Sequence, residues 1–272
     1  MKRILKMIII CLFTVFSFYY TNKIIDLSKN KDPIMQEINN IKPKKEVKPV
    51  NGIIEKDTMI VGSSGKKIDI ETSYEKMKKL KIFDEKLLEY INIKPNIRKE
   101  NNYEKLITGA STDKKEISII FQIDKIDDLN QISYIVKKHN IPVTIFIDSK
   151  IIEKTDNIDS NISLGIYSYD NNFDIVSTNY IKHYLSKKYN YSNYCLYKDK
   201  HFLNVCAYHK INTIKPQLID KNVYLYLKEN KKPGFIYQIK PNKQNIKELN
   251  VAFMYLKQKG YKIIKIDDLL KE

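Results

Sequence analysis

The strongest constraint on this chain is a change of rhythm at Lys115. Ile117-Ser-Ile-Ile-Phe-Gln-Ile123 is almost continuously apolar, the pattern of a strand covered on both faces. Leu129, Ile132, Ile135 and Val136 then share one helical face, and Ile141-Pro-Val-Thr-Ile-Phe-Ile147 is a second buried strand. Strand, helix and strand within about 30 residues make a βαβ unit. The alternation continues with a strand at 162–167 and a helical face of Phe173, Val176, Tyr180, Ile181, Tyr184 and Leu185. A short strand at 194–197 precedes a helix capped by Asp199 that carries Phe202, Val205 and Cys206. Strands at 212–215 and 234–239 follow, then a long helix with Ile246, Leu249, Phe253 and Leu256, stopped by Gly260. A closing strand at 261–266 and a short helix from Asp267 end the pattern. Alternation of this kind predicts an α/β fold, either a parallel sheet or a (β/α) barrel.

Ahead of this region the chain divides into three. Lys2, Arg3 and Lys6 precede an apolar run of 14 residues, Met7–Tyr20, or 17 when counted from Ile4. The shorter count fits a signal-peptide core and the longer one the lower limit of a spanning helix. Phe18-Tyr19-Tyr20-Thr21 offers no small-residue cleavage site, which favours an uncleaved signal anchor at 1–22 over a cleaved signal peptide. The basic start stays inside, so the bulk of a single-pass chain is expected outside the membrane. Residues 23–56, rich in Lys, Asn and Pro, read as a disordered stalk. Residues 57–112 read as a small α+β leader: strands at 58–62 and 67–70, a helix at 74–80 capped by Thr72 or Ser73, and a short helix from Asp84. Residues 113–272 then form the main domain.

The formal net charge is +16, which raises the question of nucleic acid. Of the 48 basic residues only Arg3 and Arg98 are arginines, and the chain is equally rich in Ile, Asn and Tyr. That is the residue usage of an AT-rich genome. Bidentate readout of bases and phosphates uses Arg, so a nucleic-acid partner is not expected.

The segments Ile117–Ile123, Asn140-Ile-Pro-Val-Thr-Ile-Phe-Ile147, Ser163-Leu-Gly-Ile-Tyr-Ser-Tyr169, Pro233-Gly-Phe-Ile-Tyr-Gln-Ile239 and Leu256-Lys-Gln-Lys-Gly-Tyr-Lys-Ile263 fall in an order that resembles the polysaccharide deacetylase (NodB-homology) family. Ile60-Val-Gly62 with Gly65, Ser73-Tyr74 with Met77, and Lys94-Pro95 resemble the leader of its membrane-anchored Gram-positive subgroup. The resemblance implies an incomplete (β/α) barrel with its site where the strand C-termini meet. It also implies a divalent, zinc-like metal on one Asp and two His, a second Asp as base, an Arg and a late His. The metal polarises the amide carbonyl and activates water while the carboxylate takes the proton.

Carried across position by position, that set is gone. The base and ligand Asp fall on Gln122 and Ile123, the metal His pair on Tyr167 and Asn171, and the late His on Lys240. The Arg-bearing motif falls near Tyr194–Tyr197, which holds no Arg. No catalytic residue and no cofactor are therefore expected, and Ile123 and Tyr167 are expected to fill a plugged, apolar cleft. The alternative is an active N-deacetylase with displaced chemistry and a metal on Asp124, Asp170 and Asp174. Asp170 and Asp174 also have turn and capping chemistry, and His201 with His209 reads as two surface helix residues. Cys195 and Cys206 are either a disulfide, as an exported pair would be, or two buried thiols. What remains is a pseudoenzyme of the cell envelope whose expected partner is a cell-wall glycan or an envelope protein.

Overall fold

The computed structural model describes residues 2–148, 150–154, 158–168 and 174–272, with residues 2–9, 26 and 154 described by backbone alone. The elements in chain order begin with α1 (Lys2–Lys31), α2 (Pro33–Lys45), β1 (Ile53–Glu55), β2 (Thr58–Val61), β3 (Gly65–Ile68), α3 (Ile70–Leu80), β4 (Tyr90–Ile93) and β5 (Leu106–Ala110). Next come β6 (Glu116–Ile123), α4 (Ile126–His139), β7 (Val143–Asp148), β8 (Ile162–Tyr167), α5 (Ile175–Lys188), β9 (Tyr191–Leu196) and α6 (Lys200–Tyr208). The last are β10 (Asn212–Ile214), β11 (Gln217–Ile219), α7 (Val223–Asn230), β12 (Ile236–Ile239), α8 (Lys243–Gln258), β13 (Lys262–Ile263) and α9 (Ile266–Leu269). They form two compact units, residues 1–48 with 65–93, and residues 49–64 with 94–272.

The first unit corrects the expected stalk. Asp32 caps α2, its carboxylate accepting from the Ile34 amide at 2.9 Å, and Pro33 supplies the preset first turn. Ile34, Met35, Ile38 and Ile41 then fall on one helical face. Met35 and Ile38 are buried against Ile68 of β3, Tyr74 and Met77 of α3, and Leu88. The Tyr74 hydroxyl donates to Asp32 at 2.9 Å. The Lys and Pro content hid this apolar stripe.

The anchor is also revised. Helix α1 does not stop near residue 22 but runs to Lys31. Among the described residues no helix is long and apolar enough to cross a membrane.

The second unit is a largely parallel sheet in the order β1-β2-β5-β10-β9-β8-β7-β6-β12-β11, with β13 on β6 and only β1–β2 antiparallel. Strands β2 and β5 belong to this sheet, so the expected separate leader at 57–112 is split: 65–93 falls in the first unit, and the rest joins the barrel. The sheet curls until β5 meets the start of β12 at an isolated antiparallel bridge, Gly109 to Phe235. Backbone closeness there demands glycine. A Cβ on Gly109 would sit 2.6 Å from the Gly234 carbonyl oxygen, and Gly234 itself has φ +78. An incomplete barrel results.

Alternation along the strands sorts the core into two. Ile117, Ile119, Phe121 and Ile123 of β6 face the helices with Leu129, Ile132 and Phe253, whereas Ile120 joins Phe146, Tyr167, Tyr194 and Ile214 inside the barrel. The expected closing strand is cut to β13 because Ile266, Leu269 and Leu270 turn into that inner cluster as α9. Strand β11 and helix α7 bury Ile219, Val223 and Leu227 in the outer core.

Candidate functional site

A cleft of about 330 Å³ opens at the C-terminal ends of β6 and β12. Strand parity places Gln122 and Gln238 at its centre, two residues beyond Ile120 and Ile236 of the inner cluster. The Gln238 amide nitrogen donates to the Gln122 carbonyl oxygen at 2.9 Å. Lys240 stands at the rim, exposed, 3.2 Å from the Asp220 carboxylate. Behind the rim the buried Asn245 amide donates to the carbonyls of Asp220 and Lys240, both at 2.9 Å, which fixes the two loops that carry them. Asp124 and Asp128 complete the acidic side, and burial holds the Asp128 carboxyl above the ordinary carboxylate range.

The expected site residues are only partly gathered here. Gln122 and Lys240 line the cleft. Ile123 is fully buried but in the outer core beside the helices, so it does not fill the vacated site. Tyr167 lies in the inner cluster at the end of β8, its ring 6.2 Å from that of Phe202. Asn171 and Asp170 lie outside the described residues. The expected plugged, apolar cleft is therefore corrected: the inner cluster fills the barrel below, and an open, polar hollow remains above it.

Of the alternative metal set, Asp174 is engaged as a helix cap. Its carboxylate caps α5, accepting from the Ser177 amide at 2.8 Å and the Ser177 hydroxyl at 2.7 Å, and these bonds hold it below the ordinary range. Asp124 is an exposed lining residue. Among the described residues no three His, Cys, Asp or Glu side chains gather as a metal would require. His201 is exposed on α6, and His209 sits at that helix's end, its ring 5.3 Å from Tyr208.

Two residues at the strand ends were missed, Gln238 in this cleft and Asp148 on the neighbouring β7. Gln238 was read only as part of a strand. Asp148 ends β7, is 3% exposed, and accepts from the Lys150 amide at 2.7 Å. Its parity with Thr144 and Phe146 is the signal that could have placed it. Cys195 of β9 and Cys206 of α6 are joined as a disulfide, with Cα atoms 6.6 Å apart.

No protein-family model matches the chain. It is 32% identical over 126 residues to the uncharacterized protein YlxY of Bacillus subtilis strain 168, covering 46% of this chain and 40% of that protein, less than half its length. Its structure is similar to a CE4 family pseudoenzyme from Bacillus anthracis at TM-score 0.62 and 22% identity, covering 89% of this chain and 96% of that one. A mutant of that pseudoenzyme with restored enzymatic activity matches equally well, TM-score 0.62. PdaA of Bacillus subtilis, a family 4 carbohydrate esterase, is similar at TM-score 0.51 and 17% identity over 63% of this chain and 87% of that one. The fold is that of the polysaccharide deacetylases.

Proposed function

We propose that this protein is a catalytically inactive polysaccharide deacetylase-like protein of the cell envelope, which holds a glycan rather than cleaving its acetyl groups. The observation that carries the reading is the Gln122–Gln238 amide pair at the mouth of the cleft. A side-chain amide neither accepts a proton near neutral pH nor serves the hard, anionic role that a carboxylate plays toward a metal. It does exchange hydrogen bonds with hydroxyl and acetamido groups, and a polar cleft of about 330 Å³ is of the size that takes a sugar residue or two.

Tethering belongs to the same reading. Ile10, Phe13, Phe16, Phe18 and Tyr20 are exposed along α1. Together with the basic residues at its start, Lys2, Arg3 and Lys6, and the disulfide, this supports an extracytoplasmic protein held by its N-terminal helix.

The test is acetate release from N-acetylated glycan by the purified chain, with and without zinc, alongside glycan binding. The expected result is binding without acetate. Metal-dependent release of acetate would overturn the reading in favour of an active deacetylase.

A further inference from the structure

A second hollow, of about 320 Å³, lies at the seam of the barrel, where β5 meets the approach to β12. Thr58 of β2 and Thr108 of β5 line one side, Phe235 the floor of the seam, and Pro216 and Gln217 the side toward β11. The proposed function uses none of them.

Two features tie this hollow to the cleft already described. The first is a shared wall. Gln217 and Leu218 are neighbours on β11, and Gln217 lines the hollow while Leu218 lines the cleft. Alternation along a strand turns the two to opposite faces. Strand β11, however, ends the sheet, with β12 alone paired to it among the described residues. Its outer edge is bare: Leu218 is 54% exposed, and Gln217 is exposed beside it. A chain leaving the cleft crosses this edge into the hollow with no further strand in its way.

The second feature is the chemistry of the lining. Phe235 and Pro216 offer apolar ring surface. The Thr58 hydroxyl donates to the Glu55 carbonyl at 3.0 Å and the Thr108 hydroxyl to the Met59 carbonyl at 3.4 Å, which fixes both oxygens as acceptors. Gln217 adds an amide with a donor and an acceptor. No carboxylate is among the described lining residues, and the one ammonium, on Lys215, lies 5.7 Å from the Tyr197 ring centroid. Apolar surface beside fixed hydroxyl and amide groups suits a pyranose ring, whose faces are C–H and whose rim is hydroxyl.

We infer that this hollow is a second sugar subsite, and that the glycan held at the cleft is a linear polymer that crosses β11 to reach it. The inference rests on the glycan reading of the cleft. A disaccharide fills one hollow, whereas a chain of about four residues or more engages both, and the second engagement adds affinity because the first has already brought it close.

Calorimetric titration of the full chain with β-linked oligomers of N-acetylglucosamine tests this. The pentasaccharide is expected to bind at least about tenfold tighter than the disaccharide. Phe235→Ala and Gln217→Ala are each expected to bring the pentasaccharide to the disaccharide's level, and Gln238→Ala, in the first cleft, to weaken both oligomers. Phe235 is half-buried, so its variant is accompanied by a thermal melt; Gln217 is exposed, and its variant keeps the test open if the other does not fold. Equal affinity for the two oligomers, or a length advantage that survives both substitutions, would overturn the second subsite and leave the glycan reading standing. Binding of neither oligomer would overturn the glycan reading and this inference with it.

Discussion

At the scale of single residues, a strand's parity decides what a substitution means. Gln122 and Ile123 are neighbours in sequence, yet one faces the open cleft and the other the helical layer. Returning an acid to each therefore has unequal cost. Ile123→Asp buries a carboxylate among apolar side chains at a fully covered position, and a loss of about 3–5 kcal/mol is expected in denaturant unfolding. Gln122→Asp, part-exposed, should shift the midpoint little. Equal midpoints for the two variants would show that Ile123 is not packed as described. Asp267 gives a pH-dependent case. Its pKa is raised mainly by burial, with Asp268 adding and Ser192 and Lys99 opposing, so the folded state holds its proton more tightly than the unfolded chain does. That contribution is fully present below the unfolded carboxylate value and is lost as pH rises through the raised folded value. Glu272, also raised, acts in the same direction, and Lys99, lowered, in the opposite one at high pH. Asp267→Asn should thus match the parent in melts near pH 3 and exceed it near pH 7; a lower melt at pH 7 would mean that Lys99 depends on that charge.

Individual elements show where sequence reading succeeds and where tertiary context overrules it. Strands β6, β7 and β8 and helices α4, α6 and α8 were legible because an apolar run or stripe admits one burial geometry. Helix α2 was not, since its Ile and Met stripe is interleaved with Lys, Asn and Pro, and composition outweighed periodicity. Short β11 and the reduced β13 depend on partners distant in sequence, β12 and β6, and carry too few residues to announce themselves. The candidate site was legible to the extent that it lies on strand ends: Gln122 and Lys240 meet at one cleft, while Gln238 and Asp148 required parity across the barrel to be seen. The disulfide ties β9 to α6, whose Phe202 and Val205 lie in the outer core. Replacing both cysteines by serine should cost about 2–4 kcal/mol and lower the melt by several degrees. An unchanged melt would show that the bond constrains nothing in the unfolded chain.

Considered as a whole molecule, the barrel shares the fold of the polysaccharide deacetylases, and the proposed reading holds that its mouth works without a metal. A catalytic metal does more than reaction chemistry: bound only by the native state, it stabilises the fold by mass action, about 2.7 kcal/mol at a hundredfold excess over its dissociation constant. A barrel built to hold such an ion leaves acidic and imidazole side chains poised at the strand ends, where the ion offsets their repulsion. Here the strand ends at the mouth carry an amide pair, an outer-core isoleucine and a tyrosine joined to the inner cluster. The hydrophobic filling of Ile120, Phe146, Tyr167, Tyr194 and Ile214 supplies cohesion that needs no ion. Zinc, manganese or cobalt in excess is therefore expected to leave the melting temperature within a degree or so of the metal-free protein, and chelators likewise. A rise of several degrees with one of these ions, abolished by Gln122→Ala, would place a metal in this cleft and reopen the case for catalysis.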